Sequence, residues 1–104
     1  MKALIVDDEP SLAALMQEAL RRIGWEVTTA NSLEDAQHKI GPFDVVVADV
    51  RLPNGDGRHL RELHPGTPFI SMSGFPGERP DLQKPFGPAA LRSKVLDAIK
   101  PKAG

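Results

Sequence analysis

Three short apolar runs, at residues 3–6, 43–48 and 68–72, each stop at a polar residue, and stretches of helical spacing lie between them. The first of these runs is apolar at every position rather than at alternate ones, as expected of a strand buried on both faces of a parallel sheet. The Val45-Val46-Val47 triplet is the strongest of these signals, and the run at 68–72 is weaker. After the first run, Leu12, Leu15, Met16, Ala19, Leu20 and Ile23 recur at helical spacing, with Pro10 and Ser11 to start a helix and Gly24 to stop it. Residues 25–30 are rich in β-formers. Asn31 or Ser32 can then cap a weakly patterned helix through Ala36 and Ile40, ended by Gly41-Pro42. A short helix is expected near residues 58–63 and a brief fifth strand at 81–83. A last helix starts at Pro88 and carries Leu91, Val95, Leu96 and Ile99 at helical spacing.

Strands alternating with helices predict an α/β fold, a doubly wound five-stranded parallel sheet in the flavodoxin-like order 2-1-3-4-5. In that order strands one and three flank the point where strand order reverses, and ligands sit there beyond the carboxyl ends of the strands. A length of 104 residues makes one domain, residues 1–104, with one modest core. The 13 basic and 14 acidic residues alternate along the chain for a net charge of -1, which argues against nucleic acid and a membrane surface as partners. With no cysteine there is neither a disulfide framework nor a thiolate metal site. The first apolar run is too short for a secretion leader and none is long enough to span a membrane, so a cytoplasmic protein is expected.

The polar residues that stop the runs carry the chemistry. Asp7 and Asp8 follow the first, Asp49 the second and Ser73 the third, while Lys84 follows the expected fifth strand. Carboxylates gathered in one crevice repel and raise one another's pKa unless a cation offsets them, which predicts a hard divalent ion held by oxygens. Mg²⁺ suits such a site, since it takes one or two carboxylates together with phosphate oxygens and keeps several waters. Beside it a carboxylate can act as nucleophile towards phosphorus, and Lys84 and the Ser73 hydroxyl can serve the equatorial oxygens. Taken singly each residue has a bland reading: an acidic turn, a loop cap, a satisfied hydroxyl, a linker Lys-Pro. Their conjunction at successive strand ends outweighs those readings. His38, His59 and His64 lack metal spacing and read as surface residues, Trp25 reads as edge-strand packing, and Gly55 and Gly57 as loop geometry.

Four stretches resemble a response-regulator receiver domain of two-component signalling: Val6-Asp7-Asp8-Glu9, the segment from Asp49 through Leu52-Pro53 to Gly57, Ser71-Met72-Ser73-Gly74, and Lys84-Pro85-Phe86. The resemblance runs nearly end to end. It implies that Asp49 is the phosphoacceptor and that Asp8 ligates Mg²⁺ directly, with Asp7 acting mainly through a water. It further implies that the Arg51 backbone carbonyl completes the protein ligands, that Ser73 binds the phosphoryl group and that Lys84 pairs with it. The Arg51 side chain occupies a position that often tunes hydrolysis. A cis Lys84-Pro85 bond is expected, and the implied partner is a histidine kinase or a histidine phosphotransfer protein.

Two departures bear on output. Ser73 and Lys84 stand eleven positions apart, too close for a full fourth helix, and two prolines and two glycines at 74–80 oppose helix propagation. A loop or single turn is expected there, a shortening similar to that of some hybrid-kinase receivers. The aromatic switch of the family, three residues before the lysine, is replaced by Asp81, which leaves Phe75 and its loop as the nearest readout. Three functions are compatible with these residues. First is a stand-alone phosphoacceptor switch, shuttle or sink that slowly dephosphorylates itself, since no output segment follows the last helix. Second is a pseudo-receiver that binds partners regardless of phosphorylation, and third, ranked last for want of a cap domain or second acid, a Mg²⁺-dependent phosphatase.

Overall fold

A computed structural model describes residues 1–39 and 41–100. The apolar runs and helical segments fold, in chain order, as β1 (Lys2–Val6), α1 (Pro10–Arg21), β2 (Glu26–Ala30), α2 (Leu33–Gln37), β3 (Val45–Asp49), β4 (Arg51–Leu52), β5 (Gly55–Asp56), α3 (Leu60–Leu63), β6 (Phe69–Ser73), β7 (Leu82–Gln83) and α4 (Pro88–Ile99). Single 3₁₀ turns lie at Gly57–His59 and Pro76–Glu78. The parallel sheet has the order β2-β1-β3-β6-β7, the expected 2-1-3-4-5 once the small antiparallel β4-β5 pair is set aside. None of the described helices is long and apolar enough to cross a membrane.

The continuous apolar runs are explained by the two layers they serve. Ala3, Ile5, Val45, Val47, Ile70 and Met72 face α1 and α4 and pack with Met16, Leu20, Leu91 and Val95. Leu4, Val6, Val46 and Ala48 face the other way, onto Leu33, Ala36, Leu52 and Leu60. Side chains alternate between faces along a strand, so a sheet covered on both sides needs apolar residues at every position. Register aligns the carboxyl ends: Val6 pairs with Ala30 and Ala48, Asp49 with Met72, and Ser73 with Gln83. The polar residues that stop the runs therefore emerge along one edge of the sheet.

Several local expectations shift. The core face of α1 is Ala13, Met16, Ala19 and Leu20, whereas Leu15 and Ile23 are 64% and 39% exposed and Leu12 is half-buried. On α4, Leu91 and Val95 are buried and Ile99 packs partly against them, while Leu96 is exposed. Helix α2 stops at Gln37, shorter than its apolar spacing suggests, and Ser32 rather than Asn31 is its cap, the Ser32 hydroxyl accepting from Asp35 N–H at 3.0 Å. Ile40 lies outside the described residues. Trp25 precedes β2 and is buried against α1 and α4 residues. Of the histidines, His38 and His59 are exposed, and His64 is half-buried, edge-on to Phe43 at 5.7 Å.

Candidate functional site

At the end of β1 the Asp7 N–H completes the ladder to Ala30 C=O at 3.0 Å, and the Asp7 carboxylate turns back to accept from Glu9 N–H at 2.9 Å. That turn sends the chain into α1 and leaves Asp7 buried with Asp8 exposed beside it. Asp49 ends β3 in the same way, its Oδ1 accepting from Arg51 N–H at 3.1 Å. Gly57 lies so close behind that a Cβ there would overlap the Asp49 carbonyl oxygen, and Gly57 N–H donates to Val50 C=O at 2.9 Å. Gly55 has φ of +149°, open to glycine. Both glycines thus serve loop geometry, one by backbone conformation and one by close approach.

Lys84 reaches the acids from the far side of the sheet. Its N–H donates to Ser73 C=O at 2.8 Å, the bond to Pro85 is cis as expected, and Gly41-Pro42 is cis as well. The Lys84 ammonium donates to Asp7 Oδ2 at 2.9 Å and to Asp49 Oδ2 at 2.8 Å. Burial raises the Asp7 carboxyl above its ordinary value, and the hydrogen bond from Lys84 only partly opposes this. For Lys84 burial acts downwards, but its hydrogen bonds to Asp49 and Asp7 outweigh it and the pKa is raised, so the side chain is an ammonium at neutral pH.

Asp7, Asp8 and Asp49 each bring one carboxylate oxygen within 4.8 Å of the other two. A set of hard oxygens, two of the three carboxylates buried, fits a small divalent cation that would offset their repulsion. Among the described residues it is the one such grouping of potential metal ligands. Of the six residues singled out from sequence, Asp7, Asp8, Asp49 and Lys84 meet directly. Ser73 lies on the neighbouring strand, one residue beyond the partner of Asp49, and the Arg51 side chain points elsewhere.

The Arg51 guanidinium lies 3.8 Å above the Phe75 ring, and its Nε donates to Glu78 at 3.3 Å. Glu78 also accepts a very short hydrogen bond from the Ser73 hydroxyl, which itself accepts from Phe75 N–H at 3.0 Å. Glu78 had no mark in the sequence beyond being one acid in the short connection, since its contacts depend on how that connection folds. Asp81, at the position of the missing aromatic, exchanges hydrogen bonds with Ser71: its carboxylate accepts from Ser71 N–H at 2.9 Å and its N–H donates to Ser71 Oγ at 3.0 Å.

Residues 3–84 match the response regulator receiver domain family. The chain belongs to that family. The response regulator protein PilR of Pseudomonas aeruginosa is 30% identical over 95% of this receiver chain and 26% of the relative. The structure of the response regulator protein TrrA of Thermotoga maritima, in complex with Mg(2+)-BeF, matches with a TM-score of 0.82 at 28% identity over 93% of this chain and 97% of that one. The non-phosphorylated HemR receiver domain of Leptospira biflexa matches with a TM-score of 0.83 at 25% identity over 99% and 97%. The chain spans no more than about a third of the length of the curated relatives it matches. The fourth-helix position of this receiver holds only the single turn Pro76–Glu78, as its prolines and glycines imply.

Proposed function

We propose that the chain is a working phosphoacceptor in two-component signalling, with Asp49 as the residue that takes the phosphoryl group. The observation that carries this reading is the meeting of Asp7, Asp8, Asp49 and Lys84 at the carboxyl ends of β1, β3 and β7, with Ser73 at the adjoining end of β6. The donor is a phosphohistidine on a histidine kinase or histidine phosphotransfer protein. An Asp49 carboxylate oxygen attacks phosphorus, an O–P bond forms, the N–P bond breaks, and the imidazole leaves with the electron pair and is neutral once its ring holds a single proton. Asp7, Asp8, Asp49 and the Arg51 carbonyl would hold Mg²⁺, which when bound neutralises charge on the phosphoryl oxygens.

Lys84 keeps its ammonium within reach of Asp49 and donates to the phosphoryl oxygen, and Ser73 donates from the other side. Water attack on the aspartyl phosphate returns the carboxylate and inorganic phosphate, so the state is transient. We place the domain at residues 1–104 and its reaction in the cytoplasm, where it serves as a switch, shuttle or sink. Incubation with Mg²⁺ and acetyl phosphate should add one phosphoryl group by intact mass, and Asp49→Asn or a chelator should abolish the gain. One observation favours a second reading, a binding module indifferent to phosphorylation: the Ser73 hydroxyl already has an internal acceptor in Glu78. Failure to gain mass from acetyl phosphate or from any histidine-kinase donor would select it.

A further inference from the structure

The connection from β6 to β7 is held at two places. Its far end is pinned by the Asp81 and Ser71 exchange, and its middle by Glu78, through the Ser73 hydroxyl and Arg51, and by Phe75, whose N–H meets the same hydroxyl and whose ring lies under the same guanidinium. Between them Arg79 adopts φ of +52°, left-handed backbone that a non-glycine residue takes only where its surroundings fix it. Glu78 is not loosely solvated: its side chain is 20% exposed. Hydrogen bonds from Ser73 and then Arg51 hold its carboxyl below the ordinary value. A serine hydroxyl has one hydrogen to donate. It cannot serve Glu78 and a phosphoryl oxygen together, and two anions sharing one hydroxyl repel.

We propose that Glu78 is an internal stand-in for the phosphoryl group, occupying the Ser73 hydroxyl in the resting chain and expelled when Asp49 is phosphorylated. Expulsion also breaks the Glu78 contact with Arg51 and loosens the Phe75 ring, half exposed already, from beneath the guanidinium. The signal is thereby read as a change in the 74–80 loop, in a receiver whose switch aromatic is Asp81 and whose fourth helix is a single turn. This rests on Asp49 being the phosphoacceptor.

Amide exchange at Phe75, Glu78 and Arg79, whose N–H groups are hydrogen-bonded in the resting loop, reports the change. It is followed in the wild type, Glu78→Gln and Glu78→Ala with Mg²⁺, before and after acetyl phosphate, with phosphoryl occupancy read by intact mass. In the wild type these amides should exchange about 3- to 10-fold faster once Asp49 is phosphorylated, the scale of losing one hydrogen bond. Glu78→Ala should show the faster exchange before phosphorylation, change little afterwards and take up phosphoryl about 3- to 10-fold faster. Glu78→Gln keeps an acceptor for Ser73 without the charge and should fall between. Full phosphoryl occupancy with unchanged exchange, or a resting Glu78→Ala loop identical to the wild type, would overturn the proposal alone. No mass gain in any of the three proteins would overturn the phosphoacceptor reading and this proposal with it.

Discussion

Replacing Asp7 with Asn should stabilise the metal-free fold, because the site holds a buried carboxylate beside another. Asp7 and Asp49 bring oxygens within 4.8 Å, a repulsion of about 3.5 kcal/mol at an effective dielectric constant of 20, and Asp8, in water, adds about 1 kcal/mol. Lys84 at 2.9 Å returns about 5.7 kcal/mol on the same scale. Those terms nearly cancel, which leaves the desolvation of a fully buried carboxylate, several kcal/mol by itself and only partly met by Glu9 N–H. Asn keeps the shape and, through its single amide oxygen, the acceptor for Glu9 N–H, while its NH2 takes the place of Oδ2 and Lys84 keeps only Asp49, so Asp7→Asn should gain about 1 kcal/mol at pH 7 in chelator and raise Tm by roughly 5 °C. The sign with pH follows from the raised carboxyl. The folded state holds the Asp7 proton more tightly than the unfolded chain, so the wild type is favoured at acid pH and loses that advantage as the pH rises through the folded pKa. The advantage of the variant is therefore widest at neutral pH and closes on acidification. Mg²⁺ at tenfold its Kd should stabilise the wild type by about 1.4 kcal/mol and the variant far less. Urea titrations at pH 7 and at lower pH, with and without Mg²⁺, measure all of this. A less stable Asp7→Asn protein in chelator at pH 7 would refute the reasoning.

Removing the cation has the opposite sign. Lys84→Met leaves Asp7 and Asp49 facing each other and should cost about 2–3 kcal/mol in chelator, below the figure for a fully buried pair because Lys84 is 20% exposed. Urea titration should show part of the loss recovered in Mg²⁺. Gly57→Ala forces a Cβ against the Asp49 carbonyl and should cost about 1–3 kcal/mol while lowering phosphoryl uptake measured by intact mass. Asp81→Ala leaves Ser71 N–H without its acceptor and should cost about 1–2 kcal/mol, visible as faster amide exchange at Ser71.

Strand order and the positions of the acids could be read from the chain because both follow from burial. A run such as Val45-Val46-Val47 can be covered on both faces only inside a layered sheet, and the first charged residue after it must lie where the strand leaves the core. The extent of α2 and the exposed edge of α1 could not be read this way, since apolar residues such as Leu15 and Ile23 satisfy a helical period without saying how wide the buried stripe is. The two-residue β4 and β5 carry no periodicity at all. Glu78 was hidden for another reason. Its partners Ser73 and Arg51 are set by one turn and one left-handed residue, and no composition rule predicts Arg79 in that conformation.

The short connection explains both what is missing at this site and what replaces it. A parallel crossover ordinarily takes a dozen or more residues, because the chain must return the full length of a strand before pairing again. Here only residues 74–81 separate β6 from β7, and β7 pairs with Met72 and Ser73 alone, the last two residues of β6. No full return is made. The chain turns beyond the strand end and comes back one step, and two residues of pairing suffice to set Lys84 N–H on Ser73 C=O and its ammonium between Asp7 and Asp49. A longer fifth strand would demand a longer connection, and with it room for a full helix. Because the chain turns so tightly over the strand ends, the loop's own side chains fall on the site, which is how Glu78 comes to rest on the Ser73 hydroxyl. The single turn in place of a longer helix and the rest of Glu78 on the Ser73 hydroxyl are thus two results of one short spacing.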